Sequence, residues 1–303
     1  MPRPVRTHID EALCAGCGLC IRVCPDDTLS LVNGKAKVTG SESLQCGQCA
    51  AVCPEGAIRV ESLDPTYPAL SSLKPAEKPC DAPGLVQLML TRRSCRHYLA
   101  KPVDLPVLKD LVTIGSSAPS GTNSQAWSFT ILADRTQVLQ LGQAVGNFFK
   151  RLNRLADSRL LRVATRLIGK SELSSYHEEY QPRVEQSLRQ FEDQGMDRLF
   201  HGAPSAILIS TRPGASCPTE DASLAAGQII LAAQAMGLGS CLVGFVVEAM
   251  RNDKRIGHML GLDTKEKVRS VIALGHPAIR YQRPAGRFAP PLRILKGEPH
   301  DKD

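Results

Sequence analysis

Seven of the eleven cysteines in this 303-residue chain lie between residues 14 and 53, and their spacing constrains the N-terminal fold more than any other feature. The two groups are Cys14-x-x-Cys17-x-x-Cys20-x-x-x-Cys24-Pro25 and Cys46-x-x-Cys49-x-x-x-Cys53-Pro54. In a long chain, thiols at these spacings favour metal binding over disulfides and imply a reducing compartment. Such a loop can place three sulfurs around one iron–sulfur cube while the fourth cysteine ligates a second cube.

These two groups resemble the bacterial two-cluster ferredoxin over about 50 residues. The cross-ligation of that family implies one complete [4Fe–4S] cluster held by Cys14, Cys17, Cys20 and Cys53. It leaves Cys24, Cys46 and Cys49 for the second cluster. A zinc ribbon is the competing interpretation, but zinc sites do not need the third and fourth cysteines or the prolines that follow them.

One position departs from the ferredoxin pattern. The family places a cysteine three residues before Cys46, where this chain has Ser43. Three outcomes are open: a [4Fe–4S] cluster with the Ser43 oxygen or water on the fourth iron, a [3Fe–4S] cluster, or a lost site. We expect an occupied site, because three thiolates remain.

Composition divides the chain into an iron–sulfur domain at 1–62, a proline-rich linker at 63–84 and a larger domain at 85–303. Residues 1–62 hold six Lys/Arg and seven Asp/Glu, so the other 31 basic and 23 acidic residues give the remainder a charge of +8. A basic domain suits an anionic cofactor or substrate, whereas no motif for nucleic-acid binding is present. No secretory signal or membrane span is visible, and we expect a cytoplasmic protein.

Apolar periodicity and capping residues predict helices and strands in the larger domain. The predicted helices and strands alternate, which indicates an α+β or α/β class. The predicted helices cover Leu105 to about Gly115 after the N-cap Asp104, Phe148 to Lys170, and Asp221 to Met236 before Gly237. The predicted strands are Trp127–Leu132, Ser205–Thr211 and Ser270–Leu274.

Four segments carry polar or glycine-rich chemistry. Residues 92–96 (RRSCR) suit phosphate, because guanidinium groups bind its oxygens in pairs. Residues 118–127 (APSGTNSQAW) offer amides to a planar heterocycle, and residues 237–245 allow close backbone approach. Arg280, Arg283 and Arg287 follow residues 274–277 (LGHP). Each segment alone is weak, since an exposed basic turn or a simple connection is the commoner explanation.

In this order, the segments resemble the FMN-dependent nitroreductase family over residues 85 to about 295, and the whole chain looks like a ferredoxin–nitroreductase fusion. That resemblance implies an α+β sandwich, a homodimer and FMN in interface pockets. It places phosphate and ribityl contacts on Arg92, Arg93, Ser94, Arg96, Arg283 and Arg287. It places the flavin ring beside Pro119, Ser120, Asn123, Gln125 and the backbone of Leu242, Val243 and Gly244. Residues 146–200 align with nothing, so substrate choice is left open.

The resemblance implies an enzyme in which clusters deliver electrons singly, FMN collects two, and an electron-poor small molecule accepts them. A nitroaromatic, a quinone or an activated alkene fits as acceptor, and NAD(P)H or another ferredoxin fits as donor. The alternatives are an electron-transfer protein and a redox sensor, neither with small-molecule turnover. The four remaining cysteines lack partners at ligand spacing and are interpreted as small packing residues, although any could complete the second cluster: Cys80, Cys95, Cys217 and Cys241.

Overall fold

The structure is a computed structural model that describes residues 3–64, 66–67, 69–74, 80–169 and 171–295. Four prolines of the predicted linker lie outside the described residues, as does Lys170 at the end of a predicted helix: Pro65, Pro68, Pro75 and Pro79. Of the helices that the structure describes, none is long and apolar enough to cross a membrane.

The N-terminal module is built from short elements around a very small core. Its strands are β1 (Arg3–Pro4), β2 (Thr7–Ile9), β3 (Leu29–Val32), β4 (Lys35–Val38), β5 (Glu42–Ser43) and β6 (Ile58–Val60), and its helices are α1 (Leu19–Arg22) and α2 (Gln48–Val52). The pairs are β1 with β5, β2 with β6, and β3 with β4. Four buried residues form its core: Cys20, Leu29, Ala36 and Ile58. Modules this small generally need metal or disulfide support to fold.

The larger domain contains one antiparallel sheet in the strand order β7-β8-β10-β9. Its strands are β7 (Trp127–Leu132), β8 (Ser205–Thr211), β9 (Gly239–Leu242) and β10 (Lys267–Gly275). Every residue of β8 is buried, because β8 lies inside the sheet and has helices on both faces. The centre of the sheet is therefore the most rigid support for any site at its edges.

Helices cover both faces of this sheet. The helices are α3 (Ala82–Thr91), α4 (Leu105–Ser116), α5 (Arg135–Asp157), α6 (Arg159–Leu167), α7 (Glu172–Ser175), α8 (Gln181–Gln194), α9 (Pro218–Ala235), α10 (Gly244–Asn252) and α11 (Lys254–Met259). One core packs α5 and α10 against the sheet through residues such as Leu141 and Val246. The other packs α4 and α9 against it through residues such as Leu111 and Ile229. The α+β sandwich expected from the sequence is confirmed.

Most predicted elements occur with altered ends. The strands at Trp127–Leu132 and Ser205–Thr211 are confirmed to the residue, and Asp104 does precede α4. The predicted strand at Ser270–Leu274 extends to Lys267–Gly275, and the helix predicted from Asp221 begins at Pro218.

The single helix predicted from Phe148 is wrong. A helix begins at Arg135, ends at Asp157 and is followed by a second helix after Ser158. Asp134 and Ser158 each accept a hydrogen bond from a backbone N–H of the following turn, at Gln137 and Leu161 respectively, and so set two separate N-termini.

The described part of the predicted linker is fastened to α4. The carboxylate of Asp110, a residue only 2% exposed, accepts the backbone N–H groups of Ser71 (2.8 Å) and Ser72 (2.6 Å). Both serine hydroxyls also donate to it. Burial works against ionisation, but these four hydrogen bonds outweigh it and lower the pKa of Asp110. The predicted linker extends to residue 84, but α3 already begins at Ala82. Pro83 does not prevent this, because proline is tolerated in the first turn of a helix.

Candidate redox centre

The first cavity of the N-terminal module is lined by the complete thiol set that cross-ligation predicts: Cys14, Cys17, Cys20 and Cys53. Backbone N–H groups point at two of these sulfurs, from Ala36 to Cys14 Sγ (3.5 Å) and from Ala57 to Cys53 Sγ (3.3 Å). Hydrogen bonds to sulfur favour the thiolate that iron requires. Those from Ala36 and Gly16 accordingly lower the pKa of Cys14.

The second cavity is lined by Cys24, Cys46 and Cys49 together with Ser43. Residues 43 and 14 differ by 29, as do 46 and 17, 49 and 20, and 53 and 24, so Ser43 occupies the pseudosymmetric place of Cys14. Its Oγ accepts the N–H of Gln45 two residues on (3.0 Å), as Cys14 accepts that of Gly16. Serine therefore keeps the local turn while replacing sulfur by a harder oxygen.

These donor sets fit two iron–sulfur clusters. Burial raises the pKa of Cys20 and of Cys49, which disfavours the free thiolate and couples cluster binding to the loss of a proton. No three His, Cys, Asp or Glu side chains of the described residues surround a single-ion position. The four other cysteines line neither cavity, so none of them completes the second set here: Cys80, Cys95, Cys217 and Cys241.

A second candidate site lies at the β9 edge of the large sheet. Ser94 forms a bridge to Ser240 of β9, and Cys95 N donates to Ser240 O (2.8 Å), which fixes the arginine-rich turn there. The pKa of Arg92 is lowered, first by burial and then by the neighbouring charges of Arg287 and Arg93. Within the described residues, none of these three guanidinium groups pairs with a carboxylate. Arg92 and Arg93 are half-buried, whereas Arg287, Arg96 and Arg283 are exposed. Guanidinium groups without a carboxylate partner are suitable donors to a phosphate group.

The loop before β7 carries the other predicted flavin contacts. It includes a short 3-10 turn at Gly121–Asn123, and Thr122, Asn123 and Gln125 all have positive φ angles. The buried carboxylate of Asp221 holds the loop by accepting Gly121 N (2.8 Å) and Ser124 Oγ (3.1 Å). Sequence reasoning did not assign Asp221 this role, although it lies in the first turn of a predicted helix. Ser120 Oγ accepts Gln125 N (3.1 Å), whereas Pro119 is exposed.

One chain does not bring the two halves of the predicted flavin site together. Leu242 of β9 pairs with Ile272 of β10, which pairs with Ile207 of β8, and Ile207 pairs with Ile131 of β7. Leu242 and Ile131 are therefore separated by three strand spacings of about 4.8 Å. Trp127, at the start of β7, lies four residues before Ile131, which is a distance of about 13 Å along the strand. Trp127, the residue at which the loop ends, is therefore roughly 19 Å from Leu242. No three-ring heterocycle spans that distance, although Val243 and Gly244 remain beside Leu242.

A cavity of about 610 Å³ lies between α5 and α8. Its lining is largely apolar and aromatic, and Phe245, the residue after Gly244, forms part of it. The other aromatic lining residues are Phe149, Tyr180, Phe191 and Phe200. This volume is within the range of small-molecule sites. Apart from Phe245, the lining comes from residues 138–200, which include the region that the sequence left without an interpretation.

Two thiol-lined cavities fused to an α+β sandwich with a phosphate-type arginine cluster define a multi-centre redox protein. A model of the nitroreductase family matches residues 89–276, and a model of the 4Fe-4S dicluster domain matches residues 13–58. The chain therefore belongs to the nitroreductase family and carries an N-terminal 4Fe-4S dicluster domain. It is an oxidoreductase, and the ferredoxin–nitroreductase fusion predicted from the sequence is confirmed.

Individual relatives are more distant. Iodotyrosine deiodinase of Drosophila melanogaster is 24% identical over 211 residues, which are 66% of this chain and 64% of that protein, so the match spans less than two thirds of the relative. NADH dehydrogenase of Thermus thermophilus is 26% identical over 62% of this chain and 84% of its own length. Oxygen-insensitive NADPH nitroreductase of Helicobacter pylori is 27% identical over 62% and 85%.

Solved structures support the fold. A nitroreductase with bound FMN from Bacteroides fragilis has a TM-score of 0.53 at 20% identity and covers 70% of this chain and 98% of its own. A nitroreductase with bound FMN from Desulfitobacterium hafniense has a TM-score of 0.50 at 21% identity, with the same coverage. Both expected cofactor types, FMN and [4Fe–4S], are thus confirmed for the two matched families.

Proposed function

We propose that this protein passes electrons from its iron–sulfur clusters through FMN to an electron-poor molecule with a planar ring, a nitroaromatic or a quinone. The observation that carries the proposal is the presence in one chain of two thiol cavities and an unpaired arginine cluster. An activated alkene remains a chemically suitable acceptor, but the aromatic lining of the cavity beside Phe245 favours planar rings.

The residues have distinct tasks in this proposal. Arg92, Arg93 and Arg287 hold the FMN phosphate, and Ser94 positions the turn on β9. Backbone atoms of Val243 and Gly244 lie beside the ring. When bound, FMN supplies the exchange between one-electron and two-electron chemistry. The cavity between α5 and α8 binds the acceptor away from bulk water. The names of the relatives suggest NADH or NADPH as donor, with an external ferredoxin as the second candidate.

A homodimer completes the flavin site. The two halves lie at opposite edges of one sheet, so a second chain is needed to place the Asn123 loop against the arginine cluster. The segment after β10 supports this arrangement, because its described residues, 276–295, run without regular structure and expose large apolar side chains. Phe288, Leu292 and Leu295 are at least 82% exposed in the single chain. Such side chains are expected to pack on a partner.

Subunit complementation tests the shared site. We expect Arg92→Ala/Arg287→Ala to lose FMN, since each lost charge-assisted phosphate contact costs about 1.5–3 kcal/mol. Gln125→Trp should block the other half of the flavin site, in the loop before β7, because the larger side chain occupies the space of the ring. Mixed dimers formed from the two variants should regain FMN in one site of each dimer, measured by flavin released with acid after anaerobic purification. Mixed dimers without flavin would place the whole site in a single chain, and FAD in place of FMN would refute the cofactor.

Turnover separates the enzyme from its alternatives. The holoprotein should reduce nitrobenzene or a benzoquinone with NADH, NADPH or reduced ferredoxin. An electron-transfer protein would reduce only a protein partner, and a redox sensor would hold FMN with negligible turnover. Metal, sulfide and flavin analysis of the same sample shows whether the absence of turnover follows from missing cofactors.

A further inference from the structure

The hydrogen bonds between the N-terminal module and the larger domain converge on one residue of the larger domain. In the described part of the chain, every hydrogen bond between residues 3–62 and 82–295 involves Asn123. Its amide nitrogen donates to the carbonyl oxygens of Leu44 (3.2 Å) and Gln45 (3.1 Å), and its own carbonyl accepts from Arg3 Nη2 (2.8 Å). The side-chain oxygen of Asn123 accepts Gln125 Nε2 (2.9 Å), so all polar atoms of this side chain are engaged.

The contacted carbonyls belong to the wall of the second thiol cavity. Leu44 and Gln45 lie between Ser43 and Cys46, and Gln45 lines the cavity itself. Gln45 is only 7% exposed, and its Nε2 donates to Pro4 O (2.8 Å), which makes this wall rigid. The carbonyl carbon of Gln45 is bonded to the nitrogen of Cys46. A short covalent path through Cβ, Cα, N and C therefore joins the Cys46 sulfur to the oxygen that Asn123 contacts.

The first thiol cavity has no comparable link. The hydrogen bonds to its sulfurs and loop come from Ala36, Ala57 and Lys35, all within the module. Within the described residues, no hydrogen bond joins its four cysteines or these partners to residues 82–295. The module is pseudosymmetric in sequence, yet it presents the Ser43 side to the larger domain.

Resting on the proposed function, we propose that Asn123 docks the Cys24/Cys46/Cys49 cavity onto the flavin loop, so that the cluster with Ser43 exchanges electrons with the larger domain. Asn123 acts here as a positioning residue. A cluster held by Cys24, Cys46 and Cys49 would lose one electron in each transfer, and FMN held by the larger domain would gain it. Two transfers and two protons from water balance the two-electron reduction of the acceptor, and the external donor restores the cluster.

Two matched asparagine variants test the docking. Asn123 and Asn33 both have positive φ angles, 50° and 52°, so glycine suits either backbone. In anaerobic holoprotein, Asn123→Gly should speed hydrogen exchange in a peptide covering residues 43–49 and leave residues 12–20 unchanged. Asn33→Gly, in the β3–β4 turn, should leave residues 43–49 protected. Lost protection around residues 12–20 in Asn123→Gly, or none anywhere, would overturn the proposal.

A second pair approaches the contact from the N-terminal module, where no flavin contact is predicted. Arg3→Ala should slow reduction of the bound flavin by viologen-reduced clusters about tenfold, as expected if one hydrogen bond to the docked state is lost. Arg6→Ala removes the same charge from an exposed position and should not change this rate. Equal rates in Arg3→Ala and wild type, at equal flavin and iron content, would refute the docking role. Missing flavin or iron in wild type would instead refute the proposed function.

Discussion

At the scale of single residues, Ser43 decides how alike the two clusters are. Its oxygen occupies the place of the Cys14 sulfur and accepts the N–H of Gln45. The larger domain contributes no thiol to this cavity in the described residues. The two clusters should therefore differ in the ligand of one iron, which is the Ser43 oxygen or water in the second site and the Cys14 sulfur in the first.

The first prediction at this scale concerns iron content and lability. Because oxygen ligands are harder than sulfur, the iron nearest Ser43 should be the most labile. Anaerobic protein should contain about seven to eight irons per chain, and mild oxidation should give the EPR signal of an oxidised three-iron cluster. Ser43→Cys should suppress that signal and shift the potential of one cluster only.

Ser117→Cys, a second serine-to-cysteine change at an exposed residue that lines neither cavity, is the control and should leave the signal unchanged. Two identical four-iron signals in wild type, unaffected by Ser43→Cys, would contradict the special role of Ser43. About four irons per chain, with Cys24, Cys46 and Cys49 open to alkylation, would show that the second site is empty.

At the scale of elements, Asp253 joins three helices. Its carboxylate lies between α10 and α11, pairs with Arg151 of α5, and accepts Arg255 Nε (2.9 Å) and Nη2 (2.8 Å). It also caps α11 through Arg255 N (3.1 Å). The side-chain hydrogen bond from Arg255 is the main reason that the pKa of Asp253 is lowered. Two of these helices, α5 and α10, contribute residues to the large cavity, so Asp253 stabilises part of its wall.

The second prediction is that Asp253→Ala lowers the free energy of unfolding by about 2 kcal/mol at neutral pH, through lost hydrogen bonds and a lost cap. A carboxyl with a depressed folded pKa binds more protons when unfolded. Its stabilisation is therefore complete above the unfolded pKa of about 3.9 and is lost as pH falls through the folded pKa.

Denaturant titrations of Trp127 fluorescence between pH 3 and 8 should show this pattern, since Trp127 is the only tryptophan. Glu248→Ala removes an exposed ion pair with Arg251 and should cost well under 1 kcal/mol. The difference in the free energy of unfolding between wild type and Asp253→Ala should shrink in acid. A difference that grows as the pH falls would contradict a lowered pKa of Asp253 in the folded state.

At the scale of the whole molecule, α3 is a candidate surface for the second chain of the proposed homodimer. None of its residues is buried, and Leu85, Val86, Met89 and Leu90 are 41–61% exposed. An apolar helix face of this kind is typical of an interface. Its last residue, Thr91, precedes Arg92 directly, so this surface is continuous with the arginine cluster.

The third prediction is that Met89→Asp yields monomers with weakened FMN retention, because a charge in an apolar interface loses its hydration. Sedimentation velocity and flavin content measure both effects. Met259 of α11 is 49% exposed, as is Met89, and Met259→Asp should leave the dimer intact. A Met89→Asp protein that stays dimeric, or a monomeric wild type that holds FMN, would refute this interface.

The sequence alone determined the local features of this protein. Thiol spacing predicted two donor sets, and the cysteines of each predicted set line one cavity. The strand Ser205–Thr211 was predicted to the residue, because its central residues, Ala206 to Ile209, are all apolar and buried. Helix ends were less certain, since Ser158 interrupts an apolar pattern that continues across it.

Only the tertiary structure decided which distant residues meet. Asn123 contacts Leu44 and Gln45 across 78 residues or more, and no periodicity encodes that pairing. Asp110 and its two serines are likewise joined by packing of the linker on α4. The separation of Leu242 from the Asn123 loop follows from the strand order β7-β8-β10-β9. Strand order is fixed by how helices cover both faces of the sheet, and not by the residues of any one strand.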